Sequence, residues 1–73
     1  MPFFVAHDPR EHTPGYVEVW ATPFPTRAAA EEALRTRAEE NAAFLPAAYL
    51  IIEAGNYRAA IEQMRAQVRG WSR

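Results

Sequence analysis

The stretch AAYLIIEAGNYRAAIEQM, residues 47–64, decides how this chain folds. Its first half is a run of apolar and β-branched residues, which is typical of a strand, and we place that strand at Ala48–Ala54. Gly55 and Asn56 then interrupt the run, and Asn56 is a favoured residue at the N-terminal cap of a helix. The stretch therefore predicts a strand, a tight break and a helix in direct succession.

The predicted helix after this break spans Tyr57 to Trp71 and has the clearest amphipathic pattern in the chain. Its apolar residues recur at the helical period, on a stripe formed by Tyr57, Ala60, Ile61, Met64, Val68 and Trp71. The strand before it is apolar almost without interruption, which favours a central position in a sheet. We therefore expect the helix to pack its stripe against that sheet.

Two further strands are predicted upstream. Phe3–His7 is bulky and β-branched, whereas Tyr16–Thr22 alternates, with Val17, Val19 and Ala21 on one face and Tyr16, Glu18 and Trp20 on the other. The segment between them contains two prolines, one of them in a Pro-Gly pair, and these residues favour a turn. The pattern predicts an antiparallel hairpin with a loop of eight residues, 8–15.

A first helix is predicted from Arg27 to about Phe44, because this segment is rich in Ala and Glu. Thr26 is placed to cap its start and Pro46 to stop it. Its inward stripe contains mostly small residues, which indicates close packing on a sheet: Ala30, Ala33, Leu34, Ala38, Asn41, Phe44 and Leu45.

These elements predict a single small α+β domain over residues 1–73, in the order β-β-α-β-α. We expect a two-layer sandwich, in which a three-stranded antiparallel sheet carries both helices on one face. That arrangement leaves the Tyr16, Glu18 and Trp20 face of the second strand uncovered.

Composition excludes several classes of protein. The 73 residues include no Cys, carry a formal net charge of −1 and draw all eight basic residues from Arg. A disulfide framework and a thiolate metal site are therefore excluded, and a strongly basic nucleic-acid binder is disfavoured. The sequence has neither an apolar run of the ~20 residues that cross a bilayer nor the pattern of a signal peptide. We expect a cytoplasmic protein with no membrane partner.

The segment HDPREH, residues 7–12, has the highest concentration of side chains that can bind metals or transfer protons. His7 and His12 are separated by Pro9, so they cannot form the helical His pair of a zinc protease, and the chain has no further His. We interpret the segment as a polar hairpin loop and predict neither a metal site nor a cofactor; a loop that gathers His7, Asp8 and His12 around a metal stays open as an alternative. With no Cys and with Ser72 as the only Ser, the sequence also predicts no enzyme.

Two sets of residues are candidates for binding a partner. The first is the outward row Tyr16, Glu18 and Trp20, and the second is the helical row Arg58, Arg65 and Arg69. Trp, Tyr and Arg are the residue types that dominate protein interfaces, so binding to a protein or protein complex is the first hypothesis. The Arg row also leaves open a nucleic-acid-binding accessory protein. A third possibility is a small dimeric structural or regulatory protein that pairs through its sheet.

The layout resembles small accessory proteins of phages and prophages, including anti-CRISPR proteins. The resemblance rests on chain length and on the stretches YVEVWATPFPTRAAAEEAL and AAYLIIEAG. It implies a compact, non-enzymatic inhibitor or modulator that occupies a surface of a larger host complex, with complexes that handle nucleic acid among the candidates. The layout is also similar to small dimeric ferredoxin-like proteins, although those normally have four strands and this chain offers three.

Overall fold

The computed structural model describes residues 1–8 and 17–71, with side chains up to Val68. This part of the chain contains two strands and two long helices. In chain order these are β1 (Phe3–His7), α1 (Arg27–Glu40), β2 (Tyr49–Glu53) and α2 (Tyr57–Trp71), with a 3₁₀ turn at Pro46–Ala48 before β2. The α+β class is therefore confirmed.

Strand β1 lies between β2 and the segment 17–24. It pairs with β2 in an antiparallel register that runs from Phe3 opposite Glu53 to His7 opposite Tyr49. On its other edge, β1 makes isolated antiparallel bridges, one of which joins Phe3 and Phe24 through two backbone hydrogen bonds of 2.8 Å each. Among the described residues the first strand is thus the central one, and β2, which was predicted to be central, pairs along one edge only.

The predicted second strand is not formed by the described residues 17–22, and Tyr16 lies outside the described part of the chain. Residues 17–24 run beside β1, but only Val19 and Phe24 form bridges, and these are isolated. Pro23 and Pro25 flank Phe24 and have no amide hydrogen to donate, which prevents a continuous ladder there. The observed order of described elements is β-α-β-α, around a two-stranded sheet.

The two helices cover opposite faces of the sheet. Phe4 packs in one cluster with Met64 of α2, whereas its neighbour Val5 packs in another with Ala30 and Leu34 of α1. Consecutive strand residues point to opposite faces, so these clusters lie on either side of the sheet. The two-layer prediction was therefore wrong. The cause lies in β1, which is apolar at every position from Phe3 to Ala6 and needs cover on both faces.

Helix α1 begins as predicted and ends early. The Thr26 Oγ1 accepts a hydrogen bond from the Ala29 amide at 3.1 Å, which confirms the cap. The helix stops at Glu40, because the Asn41 Oδ1 accepts a hydrogen bond from the amide of Ala43, two residues further along, at 3.0 Å. Leu45, expected to face inward, is consequently 67% exposed.

Helix α2 has the predicted bounds and the predicted cap. The Asn56 Oδ1 accepts from the Ala59 amide at 2.8 Å, and Ala60 and Met64 are buried against the sheet. The Gln63 side chain ties the helix to β2 by donating to the Glu53 backbone oxygen at 2.9 Å. Among the described residues, no helix has the length and hydrophobicity needed to cross a membrane.

Candidate protein-binding surface

Three aromatic rings from separate parts of the chain meet on the α1 side of the sheet. Trp20 is positioned by its amide, which donates to the Val5 oxygen at 2.8 Å, and Tyr49 is the first residue of β2. Phe44 follows the turn after α1, where its amide donates to the Asn41 oxygen at 3.0 Å. We call these three rings, with the neighbouring Arg37 and Glu18, the aromatic patch.

The rings of the aromatic patch contact one another closely. Phe44 and Tyr49 are stacked, with centroids 4.9 Å apart and an angle of 22° between the ring planes. Trp20 is tilted against both, 5.8 Å from Tyr49 and 6.1 Å from Phe44. Each such pair contributes about 0.5–1.5 kcal/mol beyond the area that it buries. All three side chains are only partly buried, so the patch still presents surface to solvent.

Arg37 adds a fixed positive charge to the patch. It lies in the last turn of α1, with its guanidinium carbon 5.0 Å from the centroid of Trp20 and 5.9 Å from that of Phe44. A cation over an aromatic face is attracted by the ring quadrupole, by about 0.5–1 kcal/mol at exposed sites. Arg37 is exposed, so its charge remains available to a partner.

Glu18 supplies the opposite charge and contacts Tyr49. The Tyr49 hydroxyl donates to Glu18 Oε2 at 3.5 Å, a long and therefore weak hydrogen bond. Partial burial raises the pKa of the Tyr49 hydroxyl, and the Glu18 charge and hydrogen bond raise it further, while Arg37 opposes them. Tyr49 is therefore neutral at physiological pH and acts as a hydrogen-bond donor.

Beneath the patch lies His7, the first residue of HDPREH. Its ring packs edge-on against Tyr49 with centroids 4.7 Å apart, and its Nδ1 donates to the Asp8 backbone oxygen at 3.1 Å. His7 and Asp8 are buried, at 5% and 7% exposure. Residues 9–12 lie outside the described part, and no three metal-ligating side chains cluster within residues 1–8 and 17–71. In the described structure, His7 supports the Tyr49 ring.

The predicted binding residues fall on two separate surfaces. Glu18 and Trp20 belong to the aromatic patch, on a face that α1 partly covers, so the expectation that this face is open was wrong. Tyr16 and the side chain of Arg69 lie outside the described part. Arg58 and Arg65 are exposed on α2, on the other side of the sheet from Trp20.

Arg58 and Arg65 line a shallow groove of about 420 Å³ along α2, together with Tyr57, Ile61 and Glu62. Arg65 is paired with Glu62 at 3.4 Å, which offsets part of its charge. A surface ion pair of this kind stabilises by about 0–1 kcal/mol and is easily exchanged for another partner. The groove thus holds two cations beside one ring, that of Tyr57.

Sequence reasoning did not identify Arg37, Phe44 and Tyr49 as one site. Phe44 was assigned to the inward stripe of a longer helix, and Tyr49 was assigned to the predicted strand Ala48–Ala54. The available signal was local: both rings flank Pro46 within a short segment, and Arg37 follows one turn after Ala33 and Leu34 on α1.

Comparison with known proteins returns no match for this chain, whether against family models, curated proteins or solved structures.

Proposed function

We propose that this protein is a non-enzymatic binding module, an inhibitor or modulator that occludes a surface of a larger host complex in the cytoplasm. The observation that carries the proposal is the aromatic patch, in which Arg37 lies over Trp20 and Phe44. This mode of action is also what the resemblance to anti-CRISPR and other phage accessory proteins implies.

The composition of the patch supports this role. Trp, Tyr and Arg residues at the centre of an interface contribute most of the binding energy of typical complexes. Because Trp20, Phe44 and Tyr49 already hold one another in place, little side-chain entropy is lost when a partner covers them. Arg37 and Glu18 carry opposite charges at the patch, so they would set the orientation of a partner with complementary charges.

The test begins with affinity capture from the native host and identification of the protein that co-purifies. The decisive variant is Arg37→Glu, which reverses the exposed charge over the rings. Its matched control is Arg35→Glu on the same helix, an exposed residue that pairs with Glu32 outside the patch. We expect Arg37→Glu to abolish capture and Arg35→Glu to preserve it, with unchanged circular dichroism for both.

Equal capture by both variants would remove the aromatic patch as the binding surface. Arg37 is preferred to Trp20 for this test because Trp20 packs against the buried cluster formed by Val5, Ala30 and Leu34. A Trp20→Ala variant would therefore lose stability as well as contact surface, and loss of capture would have two explanations.

A second candidate function is nucleic-acid binding by the α2 groove. The favouring observation is that Tyr57, which is 41% exposed, lies beside Arg58 and Arg65, so one ring could stack on a base while two cations contact phosphates. Fluorescence anisotropy with labelled single-stranded RNA and DNA tests it, with Arg58→Glu as the variant. Salt-dependent binding that Arg58→Glu removes would support this function, and absence of binding at low salt would exclude it.

A further inference from the structure

Among the described residues, several backbone groups on the outer edge of β2 have no hydrogen-bond partner. Two hydrogen bonds bracket the β1–β2 ladder: the Asp8 amide donates to the Ala48 oxygen at 2.8 Å, and the Ala54 amide donates to the Pro2 oxygen at 3.1 Å. Both involve even-numbered residues of the β2 segment. Backbone groups alternate in direction along a strand, so the odd-numbered residues of β2 point their amides and carbonyls away from β1.

Two of these outward groups are already satisfied inside the molecule. The Tyr49 amide donates to the Pro46 oxygen, and the Glu53 oxygen accepts from Gln63. Four groups remain on the edge: the Tyr49 oxygen, the amide and oxygen of Ile51, and the Glu53 amide. Within residues 1–8 and 17–71, none of these four has a hydrogen-bond partner, and the sheet has no strand beyond β2.

This set of groups is self-complementary. If a second β2 lies antiparallel, with Ile51 opposite the same residue of the other copy, the two Ile51 residues exchange two hydrogen bonds. Each Glu53 amide then meets the Tyr49 oxygen of the other copy. The Tyr49 amide and the Glu53 oxygen, which already have partners within each copy, fall opposite each other. The pairing therefore uses the four remaining groups, and every outward backbone group of β2 then has a partner.

The side chains agree with the same register. Leu50 of one copy lies opposite Ile52 of the other, which makes two apolar cross-strand pairs of the kind that stabilise sheets. The chain carries a net charge of only −1, so two copies repel each other weakly. An edge strand with free backbone groups and apolar side chains is a template for pairing with another strand.

We infer that the protein forms a two-fold symmetric homodimer through the β2 edge, with Ile51 on the symmetry axis. The pairing joins two sheets into one and keeps α1 of both copies on the same side. The two aromatic patches therefore lie on one face of the dimer. The inference uses backbone groups of β2 and does not depend on what the aromatic patch binds.

The first test is the mass in solution, by sedimentation and light scattering over a range of concentrations. We expect a species of twice the 8.3 kDa chain mass that dissociates on dilution. One short strand pair is a small interface, so a dissociation constant in the micromolar range is expected. A mass of 8.3 kDa at every concentration up to millimolar would overturn the inference.

The second test removes single backbone donors. Glu53→Pro deletes the outward amide at an edge position that tolerates proline, and Glu53→Gln is the control that keeps the amide and removes the charge. We expect the proline variant to raise the dissociation constant at least roughly tenfold, because two of the four intermolecular hydrogen bonds disappear by symmetry. The glutamine variant should dimerise as the parent does.

A chemically synthesised chain with an N-methyl group on Ile51 covers the case in which Glu53→Pro fails to fold. It keeps every side chain and blocks the two central hydrogen bonds. N-methylation of Ala21, an exposed residue outside β2, serves as the control. We expect loss of the dimer only with N-methyl Ile51. A dimer that survives this change, or a monomer whose β2 pairs instead with an extended segment of another protein, would contradict the inference.

Discussion

The placement of the two helices on opposite faces of the sheet predicts that their core contacts contribute independently to stability. Leu34 of α1 is 9% exposed and Met64 of α2 is 1% exposed, and they belong to separate clusters. Truncating either to Ala leaves a cavity and costs about 2–5 kcal/mol, with Leu34 nearer the lower end because it retains some exposure. At ~0.05–0.15 kcal/mol per residue, the whole domain is stable by about 4–11 kcal/mol, so a loss of about 5 kcal/mol exceeds the lower end of that range and the variants are measured with a stabilising osmolyte present.

The decisive quantity is the double variant Leu34→Ala/Met64→Ala. We expect its loss of stability to equal the sum of the single losses within about 0.5 kcal/mol, because the backbone of β1 and β2 separates the two sites. If both helices shared one face, the two side chains would have common neighbours and would couple by about 0.5–3 kcal/mol. Additivity therefore distinguishes a three-layer arrangement from a two-layer one.

Urea unfolding followed by circular dichroism measures these losses, with a stabilising osmolyte present at one concentration for all variants so that the double variant folds. Arg65→Ala is the control on α2, since it removes only an exposed ion pair and should cost at most about 0.5 kcal/mol. A coupling of more than about 1 kcal/mol between the two core variants would contradict the placement of the helices on opposite faces, as would a Met64→Ala loss no larger than that of Arg65→Ala.

Three further predictions concern local contacts. Thr26→Ala should cost about 1 kcal/mol in urea unfolding, because it removes the acceptor of the Ala29 amide at the start of α1, whereas Thr26→Ser should be nearly neutral. Asn56→Ala should cost a similar amount at the start of α2 and Asn56→Gly only a few tenths, and equal losses for both would argue against the cap. Since the pKa of Tyr49 is raised above the ordinary value of 10.0, its contribution to stability is complete below that pH and is lost as the pH rises through the folded-state pKa. Unfolding of the parent protein should therefore become easier across this alkaline range, and Tyr49→Phe should show a smaller decline; identical pH profiles would contradict the assignment.

Local signals in the sequence were sufficient for the elements that depend on local chemistry. The caps at Thr26 and Asn56, the strand Phe3–His7 and the full length of α2 follow from side-chain preferences and periodicity, and the structure has them where predicted. The early end of α1 was missed because Asn41 was assigned to the inward stripe by periodicity, although its side chain ends the helix.

The sequences of α2 and β2, which were treated as the informative segments, do not determine on which face of the sheet each helix lies. It depends on β1, whose continuous apolar run was interpreted as a simple strand although it requires cover on both sides. The same error hid the candidate site: once α1 lies on the Trp20 side of the sheet, the end of α1 brings Arg37 and Phe44 to that ring.

The register between β1 and β2 has a consequence for how the chain folds during synthesis. Phe3 pairs with Glu53, so the central strand leaves the ribosome long before its neighbour in the sheet and before α2 has been made. Until then Phe4 and Val5, both buried in the folded protein, stay partly exposed to water. Contacts between such distant segments close slowly and leave apolar surface open to other molecules. Folding of this small domain is therefore expected to wait for α2, and chains stopped within β2 should be prone to aggregate.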